Sequence, residues 1–95
     1  RPQSPTYLQW HAEELRADDG RSLLIPAGFA HGFQALTDDA EVLYLTDADY
    51  ALGHEAGLSV VDPALSIPWP LPVKNLSAKD ASHPLLDKDF SGVEL

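Results

Sequence analysis

Apolar positions in this chain fall in short runs separated by turn residues, the spacing of an all-β domain rather than a helical one. Thr6–Leu15 opens with strand formers, Tyr7, Gln9 and His11 on one face and Leu8, Trp10 and Ala12 on the other. Its end stays open, because Glu13, Glu14 and Leu15 suit a helix equally well. Arg16–Gly20 ends in Asp-Gly, a hairpin signal. Ser22–Ile25 is a short strand that Pro26 stops, since proline cannot donate to a ladder. Gly28 then turns the corner, His31 projects just past it, and Phe33–Leu36 resumes the apolar run.

After a turn at Thr37–Asp39, Glu41–Thr46 (EVLYLT) is the strongest strand, with Val42 and Tyr44 on one face. Asp47–Leu58 is a polar loop carrying Tyr50, and Leu58–Val61 is a strand stopped by Asp62-Pro63. Ile67–Pro72 holds three prolines around Trp69 and must be extended. Ser77 fits a helix N-cap with Asp80 three residues on, so one turn is expected over Ala78–Ala81 before His83-Pro84. The tail from Lys88 is expected to be loosely held.

At 95 residues there is room for one small domain. Six basic residues against 15 acids give a formal net charge of −9, which argues against nucleic acid but not against a nucleotide held by a few placed cations. The absence of cysteine excludes disulfides, thiolate metal sites and cysteine nucleophiles. No apolar run approaches a membrane span and no signal peptide opens the chain, so no membrane partner and a cytoplasmic location are expected. The chain has no methionine and begins Arg1-Pro2, which points to a fragment.

Gly20, Pro26, Gly28 and His31 spell G-x5-P-x-G-x2-H, which resembles the second motif of the cupin superfamily, with Ala35 where that motif ends in Asn. A metal-dependent cupin adds two histidines and a glutamate from an earlier motif. The only earlier histidine here is His11, so no metal and no cofactor are expected within this chain.

The wider run IPAGFAHGFQAL, EVLYLTDADYALGHEAGL, DPALSIPWP and LSAKD resembles the dTDP-4-dehydrorhamnose 3,5-epimerase family, as does the opening RPQSPTYLQW. The resemblance implies a cupin-type jelly roll (double-stranded β-helix), incomplete, with a short helical C-terminal segment. Residues 1–95 would be the C-terminal portion of a single domain, and the half carrying the base histidine would lie elsewhere. The implied activity is metal-independent epimerisation of a dTDP-4-keto sugar at C3 and C5, in a homodimer.

Carried over residue by residue, the resemblance implies Tyr44 as catalytic acid and Asp80 as the orienter of the base histidine. It implies His31, Tyr50, Glu55 and Lys79 as substrate contacts, with Tyr50 stacking on the thymine. Spacing alone leaves plainer readings open: Tyr44 as a core tyrosine, His31 as a brace for the corner, Tyr50 as a lid and Asp80 as a solvated helix residue. Trp10, Trp69 and Phe33 read as packing residues, and His11, His54 and His83 as solvated surface positions. The isolated chain is expected to be inactive without its base. Three rivals remain: a non-catalytic sugar-nucleotide or carbohydrate-binding cupin module, a relative that epimerises only C3 or isomerises another dTDP sugar, and a metal cupin whose first motif lies elsewhere.

Overall fold

The computed structural model describes residues 1–93; the expected loose tail from Lys88 therefore extends, at Glu94 and Leu95, outside the described residues. The one regular element among the described residues is α1, Ala78–Ala81. It forms where Ser77-Ala-Lys-Asp predicts: the Ser77 hydroxyl accepts from the Asp80 amide at 3.0 Å, satisfying an amide that a helix start leaves unpaired. At the other end the Ser82 hydroxyl donates to the Lys79 carbonyl at 2.6 Å.

The expected strands do not pair. Among the described residues no strand is formed, and every backbone–backbone hydrogen bond joins residues at most four apart. A strand's hydrogen bonds come from its neighbour, so segments such as 22–25 and 41–46 cannot build a ladder singly. The all-β prediction is thus met only in the near absence of helix. The turns between the runs do form. Asp19 closes the Arg16–Gly20 turn from both sides: its amide donates to the Arg16 carbonyl at 3.1 Å and its carboxylate accepts from the Arg16 amide at 3.0 Å. Gly20 and Gly28 take φ of 63° and 96°, the left-handed values the two corners need.

Two stretches depart from expectation. The strand expected from Thr6 begins instead as successive turns, with Tyr7 donating to the Ser4 carbonyl and Gln9 to the Thr6 carbonyl. The Ser4 hydroxyl accepts from the Thr6 amide at 3.2 Å, the local side-chain bond by which serine diverts the backbone from a ladder. The tail is docked through Phe90, which stacks on Tyr7 with ring centroids 6.3 Å apart while the Tyr7 hydroxyl donates to the Phe90 carbonyl at 3.3 Å.

No apolar side chain is buried among the described residues. Leu43 and Leu45, on one face of the strand expected at Glu41–Thr46, are 89% and 92% exposed, and Val42 and Tyr44 on the other are exposed as well. Trp10 and Phe33, expected to pack, are also exposed. The best-knit region is polar. Asp62, 2% exposed, accepts from the Ala64 amide at 2.8 Å and from the Leu86 amide at 2.6 Å, tying the loop after residue 61 to the segment after α1. Trp69, half-buried, donates its indole N–H to the Val60 carbonyl at 2.7 Å. The Gln34 side-chain amide binds both the N–H and the carbonyl of Leu71, at 3.1 and 3.0 Å, and so holds the Ile67–Pro72 run against the 33–36 segment.

Candidate functional site

Three of the expected substrate contacts meet. Tyr50 and Glu55 lie on the polar loop after residue 46, and Lys79 lies on α1. The Tyr50 hydroxyl donates to Glu55 Oε2 at 3.1 Å, and Lys79 Nζ approaches the same oxygen at 3.0 Å. The loop turns back at His54, whose amide donates to the Ala51 carbonyl at 3.1 Å, with Gly53 at φ 83°. That turn is what returns Glu55 towards Tyr50.

Each group shifts the others. The Lys79 ammonium holds the Glu55 carboxyl below the usual carboxylate range, and the Tyr50 hydroxyl adds to the effect. Glu55 in turn raises Lys79 above an ordinary ammonium by accepting its hydrogen bond. It likewise keeps Tyr50 protonated above the usual phenol range, because the bond needs the hydroxyl proton. The cluster is a cation, a carboxylate and an aromatic ring on one exposed surface, a donor and acceptor set suited to a nucleotide.

The other expected residues stand apart from it. Asp80 follows Lys79 on α1, and its carboxylate, 55% exposed, comes within 4.0 Å of His83 Nε2. Tyr44 and His31 are exposed and form no hydrogen bond or ion pair among the described residues. Both face the same open surface that most of the described residues line, so no formed pocket gathers them with Lys79 and Asp80.

His83 corrects the surface reading given to it above. Its side chain is only 18% exposed, held between Asp80 and the backbone of Gly57. The Asp80-x-x-His83 spacing was the available signal, since residues three apart on a helical turn face the same way. His11 and His54 are exposed, as expected. Among the described residues no group of three histidine, aspartate or glutamate side chains is gathered as a metal site would need.

The sequence profile of the dTDP-4-dehydrorhamnose 3,5-epimerase family matches residues 1–88. Among curated proteins named dTDP-4-dehydrorhamnose 3,5-epimerase, that of Sinorhizobium fredii is 45% identical over 84 residues, covering 87% of this chain and 43% of the relative. That of Streptomyces griseus is 50% identical over 82 residues, covering 85% and 40% respectively. That of Salmonella typhimurium is 45% identical over 89 residues, covering 93% and 49%. The chain therefore spans less than half the length of these relatives. No solved structure matches it. With the profile running through nearly all of its residues, the chain belongs to the dTDP-4-dehydrorhamnose 3,5-epimerase family.

Proposed function

We propose that this chain is the C-terminal part of a cupin-type jelly roll that epimerises dTDP-4-keto-6-deoxy-glucose at C3 and C5, leading to dTDP-L-rhamnose. The observation that carries the reading is the convergence of Tyr50, Glu55 and Lys79, three of the four residues that the resemblance implies as substrate contacts, around one carboxylate oxygen. The remainder of the domain supplies the partner strands and the base histidine, and the whole works in the cytoplasm as a homodimer.

Protons on carbons next to a ketone are acidic because their removal leaves an enolate. The base takes the proton from C3 or C5, the electron pair moves onto the C4 oxygen, and donors facing that oxygen stabilise the charge. Tyr44 then delivers its phenolic proton to the opposite face of the same carbon and recovers one from solvent, while the base gives the proton it took to solvent, so that both are reset for the second carbon. Asp80 orients the base imidazole and stabilises its charged form. His31 contacts the sugar at the mouth, Tyr50 stacks on the thymine, and Glu55 and Lys79 fix the nucleotide. Two acid–base groups on opposite faces suffice for this chemistry, and the reading assigns it no metal.

The test is expression of the full-length gene product and proton NMR of the dTDP-4-keto sugar in deuterium oxide. Deuterium entering at both C3 and C5 is the expected result. Entry at C3 alone identifies a C3-only relative, and tight binding without exchange identifies a non-catalytic sugar-nucleotide module.

A further inference from the structure

His83 is placed to do more than pack. The other three histidines are exposed, whereas its ring lies against Gly57 so closely that a Cβ built at residue 57 would fall within the imidazole, with Cδ2 2.9 Å away. Only glycine at 57 allows that approach. Gly57 comes two residues after Glu55, and His83 four residues after Lys79. One contact therefore ties the loop bearing Tyr50 and Glu55 to the turn bearing Lys79. The second neighbour of the ring is Asp80, at 4.0 Å and more than half exposed, a separation and a setting in which an ion pair contributes little. Packing carries the contact.

We propose that His83 is a positioning residue, which fills the space left by Gly57 and so locks the 50–57 loop onto α1, keeping Glu55 within reach of Lys79. The proposal rests on the nucleotide-binding reading above. A loop that must be ordered when ligand arrives costs affinity, and a loop held beforehand does not.

The test uses the full-length gene product with His83→Ala, His83→Gln, Gly57→Ala and the Gly57→Ala/His83→Ala double variant, and titrates dTDP by calorimetry. His83→Ala is expected to weaken dTDP binding about fivefold to tenfold and to raise KM by a similar factor while kcat stays within about twofold, because the lock holds the nucleotide end and not the reacting carbons. His83→Gln, whose amide reaches the position of Nε2, should restore most of the affinity. Gly57→Ala should bind poorly while His83 is present and better once the imidazole is removed. Wild-type affinity in His83→Ala, or a Gly57→Ala defect that persists unchanged in the double variant, overturns the proposal. If the wild-type protein binds no dTDP, the nucleotide reading itself has failed. The lock is then judged without ligand: amide exchange across residues 50–57 faster in His83→Ala supports it, and unchanged exchange refutes it.

Discussion

Glu55 accepts from a phenol and an ammonium on the same oxygen, and the pH behaviour of the cluster follows from that sharing. Its pKa is lowered, so its contribution is present above the unfolded carboxyl range and is lost as pH falls through the lowered folded value. Lys79 and Tyr50 are raised, so theirs are present below the ordinary ammonium and phenol ranges and are lost as pH rises through the raised values. All three groups are exposed, and solvent screening keeps the effect on global stability small. Tyrosine absorbance of the full-length protein offers a direct reading. The component removed by Tyr50→Phe should titrate above an ordinary phenol, and in Glu55→Gln it should fall back towards one. An unchanged titration in Glu55→Gln would place the carboxylate elsewhere. Tyr44 tests the chemistry: Tyr44→Phe keeps the ring and removes the proton, so kcat for exchange should drop roughly 10²- to 10⁴-fold with dTDP binding retained. The spacing of the chain offers no reason for residues 50, 55 and 79 to meet. The roles proposed for them rest on resemblance alone, since 23 residues separate Glu55 from Lys79 and the path between them is set by tertiary contacts. His83 was missed for the same reason, its burial depending on a glycine 26 residues earlier.

At the level of elements, turns and caps were legible because their causes are local. Asp-Gly at 19–20, glycine at 28 and the Ser77 cap each satisfy or bend the backbone within three residues; the turns and the cap form, while the hairpin expected at 16–20 lacks its paired strands. Asp62 was read only as a strand stop, yet it is the most enclosed polar group described, because one of its two bonds reaches 24 residues ahead to Leu86. Removing it leaves two amides without their acceptor. Asp62→Ala should therefore cost the full-length protein roughly 2–4 kcal/mol in denaturant unfolding, whereas Asp62→Asn, which retains an acceptor oxygen, should cost less. A midpoint unmoved by Asp62→Ala would mean that water replaces both bonds. Ser77→Ala, at a cap serving a single turn, should cost about 1 kcal/mol by the same measurement.

At the scale of the whole molecule, the sequence shows runs of alternating apolar residues, but the strands expected from them are not formed among the described residues. Alternation marks a segment as fit for a sheet, while its ladder depends on which neighbour lies beside it, and the relatives are about twice as long as this chain. The consequence is physical. The radius of gyration is 14.6 Å, against roughly 12 Å for a compact chain of this length, and the leucines of the central run face solvent on an open surface. Burial of apolar area is the main favourable term in folding, so 95 residues without a buried apolar side chain among those described have little to set against chain entropy. Unpaired strand edges beside exposed leucines also invite association. Residues 1–95 expressed alone should therefore unfold without a cooperative transition, bind a hydrophobic dye, and sediment as larger species as concentration rises. The full-length protein should show one sharp transition and little dye binding. On the proposed reading, the isolated chain should also fail to exchange the C3 and C5 protons, because Asp80 would orient a base histidine that lies outside residues 1–95. A monomer that melts cooperatively, at a midpoint unchanged by dilution, would show that the chain closes a core of its own and that its open face is not where the rest of the domain belongs.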